Sequence, residues 1–70
     1  MTNAKKLRNG SLYQNEKTGN TTRVLGRINS QRVWTMRHKN QPEATRVKYL
    51  ELADKSQVDQ YVRESQILAV

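Results

Sequence analysis

Thr21-Thr22-Arg23-Val24-Leu25-Gly26-Arg27-Ile28, then Asn29-Ser30-Gln31, then Arg32-Val33-Trp34-Thr35-Met36-Arg37-His38 reads as two strands joined by a tight turn. Val24, Gly26 and Ile28 alternate with Arg23, Leu25 and Arg27, the period of two that marks a strand. A three-residue turn pairs Ile28 with Arg32. Counting outward sets Gly26 opposite Trp34, Val24 opposite Met36 and Thr22 opposite His38. An indole across from a glycine fills the space the missing side chain leaves. In this register Val24, Ile28, Trp34 and Met36 form an apolar face. The other face gathers Arg23, Arg27 and Arg37 around Leu25, Val33 and Thr35.

Toward the N-terminus, Glu16-Lys17-Thr18-Gly19-Asn20 is a polar cluster with a glycine where a hairpin loop needs positive φ. A strand over about 10–16 precedes it, and the strands of the central hairpin span about 21–29 and 32–38. Pro42 breaks the chain on the other side, since it has no N–H for a central ladder. A fourth strand follows over about 44–52. Leu50 and Leu52 fall there on the face of Lys48, out of step with Val47 and Tyr49, and a β-bulge near 49–51 reconciles them. Asp54 followed by Gln57 has the character of a capping box and opens a helix over about 54–65, with Val58, Tyr61 and Val62 on its apolar face. Residues 66–70 extend the helix or add a short strand. Their apolar side chains tuck into the core or make the chain a weak homodimer rather than a monomer.

Seventy residues form one domain, of which residues 1–9 are a basic flexible arm and residues 10–70 the folded part. At this size folding buries only roughly 60% of the chain's surface. With 34% hydrophobic residues and no phenylalanine, the core rests on Leu, Val and Ile with the tyrosines, and Trp34 is its expected centre. The absence of cysteine excludes a disulfide framework and thiolate metal sites, which points to a reducing, cytoplasmic setting. Neither a signal peptide nor a membrane-spanning run is present in the sequence.

Charge is the strongest functional signal. The first fifty residues hold eleven basic side chains against Glu16 and Glu43, a charge of +9, whereas the last twenty carry −2. The sum is +7 and the isoelectric point is near 10.3. Such a chain attracts polyanions, because neutralising phosphates releases condensed counterions. Seven of its thirteen basic residues are arginine, whose planar fork holds a phosphate bidentately. The expected phosphate-binding set is Arg23, Arg27, Arg37, Lys39, Arg46 and Lys48, with Arg32 at its margin and Lys5, Lys6 and Arg8 on the arm. Arg23 and Arg37 are near neighbours across the ladder, where like charges repel. An anion between them would relieve that repulsion. Tyr13 is the stacking candidate, with packing at an edge strand as its ordinary role. Trp34 could also stack a base.

His38 is the lone histidine and reads as polar surface at a strand end. With Glu43 nearby it gives a small ribonuclease only a remote basis. One histidine cannot complete a metal site, and three scattered glycines make no phosphate loop. The expected architecture is α+β: a twisted four-stranded antiparallel meander, curled at its tightest into an SH3-like half-barrel, with one C-terminal helix. The expected function is non-enzymatic nucleic-acid binding through the basic sheet face, without a cofactor. The alternative is a protein-interaction module, an inhibitor or adaptor docking on an acidic protein partner.

Overall fold

The central hairpin forms where its alternation and turn chemistry place it. A computed structural model describes residues 6–68; β2 (Thr21–Arg27) and β3 (Arg32–Met36) pair antiparallel in it. Asn29 closes their turn, its Oδ1 accepting from the backbone N–H of Gln31 (2.8 Å) and of Arg32 (2.9 Å). An amide that binds its own turn is the reason asparagine suits such positions. Ile28 N–H donates to the Arg32 carbonyl at 3.0 Å, and Gly26 stands opposite Trp34.

Between Gly26 and Val24 the register slips by one residue. Val24 pairs with Thr35 and Arg23 with Met36, in place of the expected Val24–Met36 and Thr22–His38 pairs. One extra residue turns the rest of a strand over, so Val24 joins the face of Val33 and Thr35, and Arg23 the face of Trp34 and Met36. Val24, Val33 and Thr35 share the buried face, each at most 1% exposed, while Trp34 lies on the other face and is 46% exposed. β-branched side chains pack well on a pleated inner face, and here they share it with Tyr13. The Thr35 hydroxyl finds its partner inside, 2.7 Å from Thr45 Oγ1, which removes the cost of burying it.

β1 (Leu12–Asn15) pairs with β2, and β3 pairs with β4 (Glu43–Arg46). The strand expected over 44–52 is two strands. A 3₁₀ turn, Val47–Tyr49, ends β4 and carries the chain to β5 (Leu50–Leu52), which pairs with the far side of β1. The sheet therefore has five strands rather than four, in the order β4-β3-β2-β1-β5, and the turn replaces the expected bulge. Val47 anchors the crossing, buried and donating its N–H to the Gln31 carbonyl at 2.9 Å. The core is Tyr13, Val24, Val33, Val47 and Leu50, with Leu7 packed against it.

Asp54 caps α1 (Lys55–Leu68) as the sequence predicts. Its N–H donates to Gln57 Oε1 at 2.9 Å, and Gln57 N–H donates back to Asp54 Oδ1 at 2.8 Å. Both helix-end donors are thereby satisfied. Asp54→Ala is expected to cost about 1 kcal/mol and to lower the thermal midpoint by about 4–8 °C, which a circular-dichroism melt checks. The helix runs through Ile67 and Leu68, and both side chains are exposed. Residues 66–68 are thus helical, and Ile67 and Leu68 do not tuck into the core; Ala69 and Val70 lie outside the described residues. No helix among the described residues is long and apolar enough to cross a membrane.

Candidate functional site

The register assigns every strand residue to one of two sheet faces. One face is the core. The other carries Leu12, Gln14, Arg23 and Met36 on one half, and Gly26, Trp34, Ala44, Arg32 and Arg46 on the other. The helix covers the first half: Tyr61 is buried there, the Arg23 guanidinium lies 5.9 Å from its ring centroid, and Gln57 donates to Gln14. The second half is left to solvent.

Arg23 and Arg37 are held by the fold and not grouped for an anion. Arg23 Nη1 donates to the Gly10 carbonyl at 2.5 Å. Arg37 Nη2 bonds Glu64 Oε1 on the helix at 3.0 Å. The one-residue slip sets Met36 opposite Arg23, so the expected Arg23–Arg37 phosphate site does not form. Each of these arginines ties the sheet to a neighbouring segment.

His38 belongs to the same structural network, which corrects its reading as surface. Its side chain is 5% exposed. The ring stacks on Tyr61, centroids 4.1 Å apart and planes 15° apart. Nδ1 lies 2.7 Å from Ser65 Oγ, and Nε2 donates to Glu64 Oε1 at 3.1 Å. The His38 backbone N–H donates to the Tyr61 hydroxyl at 2.9 Å, and its φ of 56° is the left-handed conformation that ends β3 and turns the ring under the helix. Its carboxylate partner is Glu64, not Glu43. The sequence signal for this was a histidine two residues past β3 with Tyr61, Glu64 and Ser65 on one helix face.

The remaining predicted residues are dispersed. Arg27 Nη1 donates to the carbonyls of Asn29 (3.2 Å) and Ser30 (3.4 Å), bracing the β2–β3 turn. Lys39 is exposed beyond β3. Lys48 sits over the Tyr49 ring at 5.1 Å, and Lys17 reaches the same ring at 5.5 Å. Lys6 and Arg8 line an open cleft of about 540 Å³ with Tyr13, Glu51 and Leu52, at the β1–β5 edge of the sheet and away from Trp34. Lys5 lies outside the described residues. Tyr13 is buried, and its hydroxyl accepts from Arg8 N–H at 2.9 Å. It packs in the core and offers no face to a base.

What the fold does bring together is Arg32, Arg46 and Trp34. Arg32 and Arg46 are direct partners across the β3–β4 ladder, and no acid among the described residues pairs with either. Like charges opposite one another destabilise a sheet, so the pair stands as an uncompensated cationic site. Trp34 lies two residues along β3 on the same face, between Gly26 and Ala44. The sequence reading included Arg46, left Arg32 at the margin and expected Trp34 in the core. No group of three or more His, Asp or Glu side chains able to hold a metal ion occurs among the described residues. Comparison with protein-family models, curated proteins and solved structures finds no match to this chain.

Proposed function

We propose that this protein is a non-enzymatic nucleic-acid-binding module that takes phosphate on the exposed half-face bearing Arg32 and Arg46. The observation that carries the reading is the direct opposition of those two arginines, with no acid among the described residues paired to either. A phosphate between them relieves the repulsion and accepts two charge-assisted hydrogen bonds. The +9 of the first fifty residues supplies the surrounding field that draws a polyanion in. Burial of His38 among Tyr61, Glu64 and Ser65 supports a binding role over nuclease chemistry, because a general base must reach its substrate. We read the sheet as an SH3-like half-barrel, on the strength of a meander whose last strand crosses by a 3₁₀ turn to pair with the first. A cytoplasmic setting fits a chain without cysteine.

Salt titration tests the reading. Fluorescently labelled single- and double-stranded DNA and RNA are titrated with the protein at several salt concentrations. Log affinity is expected to fall linearly with log salt, with a slope of about −1.5 or steeper for at least two neutralised phosphates. A flat line, or no binding to any nucleic acid, removes the proposal and leaves an acidic protein partner as the reading of the same charge.

A further inference from the structure

We infer that Trp34 is a stacking platform for an unpaired nucleobase, so that this surface selects single-stranded over duplex nucleic acid. The inference rests on the reading of Arg32 and Arg46 as the phosphate site and adds what the ligand must offer beside its phosphate.

Three observations carry it. The indole is 46% exposed although the core, without phenylalanine, is short of large apolar groups. Its cross-strand neighbours are the two smallest residues available, Gly26 and Ala44. A Cβ built at Gly26 would meet no atom within 4 Å, so the space beside the ring across the ladder is open. Arg32 lies two residues away on the same face, about 7 Å along the strand. That is the scale on which a nucleotide separates its base from a neighbouring phosphate. A base can then lie on the indole while its backbone reaches the arginine pair.

Duplex bases are already stacked on one another and turn only their edges outward, so they cannot present a ring face to a side chain on an open sheet. Single strands can, and aromatic side chains on basic sheets hold them in this way with little regard to sequence. The helix covers the Leu12–Arg23 half of the face, which confines the strand to the β3–β4 half.

Trp34 is the only tryptophan, so the intrinsic fluorescence of the whole protein reports on this ring alone. The ligands are oligothymidylate, an abasic oligomer of the same length and charge, and a duplex. Oligothymidylate is expected to quench the indole emission. The abasic oligomer and the duplex are expected to leave the emission unchanged and to bind about 10-fold more weakly. Trp34→Ala should bring oligothymidylate down to the abasic level without altering duplex affinity, and its thermal melt shows whether it folds. Where it does not fold, the wild-type comparison of the oligomers decides. Equal affinity for all three ligands with no quenching overturns the stacking inference while the phosphate reading stands. Absence of binding to all three overturns both.

Discussion

Leu50→Ala is expected to remove about 3 kcal/mol of stability, within the range of roughly 2–5 kcal/mol found when a buried leucine is truncated. Leu50 is 0% exposed and belongs to the cluster with Tyr13, Val24, Val33 and Val47. It is the first residue after the 3₁₀ turn, so its side chain fixes β5 against β1 at the point where the chain has crossed the sheet. A domain of this length holds about 4–10 kcal/mol in total, and the loss takes a large share of it. The thermal midpoint should fall by about 12–24 °C. Leu52→Ala supplies the control. Leu52 lies on the same strand and the same face but is 70% exposed, and its truncation should change stability by less than about 0.5 kcal/mol. Equal losses from the two variants would show that β5 is not seated as described.

Much of this fold was legible because local chemistry and pattern agreed. Gly19 takes a φ of 79° where the first loop needs it, Asn29 closes the second turn, and Asp54 with Gln57 caps the helix reciprocally. These are short-range effects, and a sequence displays them directly. The site was harder to read because it depends on which face of β3 is buried. Arg32-Val33-Trp34-Thr35-Met36 is apolar on both faces, so alternation alone does not choose between Val33 with Thr35 and Trp34 with Met36. A single-residue slip beside Gly26 puts Val24 on the face of Val33 and Thr35, which is the buried one, and Trp34 lies on the other.

The same slip decided which arginines are available. Counting outward from the turn put Arg23 beside Arg37. The structure assigns both to holding the fold together, through Gly10 and Glu64 respectively. Helix docking was the missing information: the partners of Arg37 and His38 lie more than twenty residues away in sequence, beyond any local pattern. Arg32 and Arg46 became visible as a pair only once the β3–β4 register was known.

Reversing one member of that pair separates stability from binding. In Arg32→Glu the new carboxylate faces Arg46 across the ladder, and a like-charge contact becomes an opposite-charge one. Stability should rise by up to about 1 kcal/mol, read as a higher thermal midpoint. Nucleic-acid affinity should fall, because one phosphate contact is lost and the other arginine is now satisfied within the protein. Arg32→Glu/Arg46→Glu restores the like-charge opposition with the wrong sign for phosphate. Its melting temperature should return to near that of the wild type, and its affinity should drop on the order of 100-fold at low salt. The slope of log affinity against log salt should become shallower by about 0.7–0.9, the share of the one phosphate the pair holds. Arg23→Ala/Arg37→Ala provides the opposite signature. It breaks the bonds to Gly10 and Glu64 and is expected to cost about 2 kcal/mol of stability, while the affinity of the folded fraction changes only a few-fold. If the two double variants exchange these behaviours, the docking face is the half beneath the helix. If Arg32→Glu binds as the wild type does, the arginine pair is not where phosphate is held.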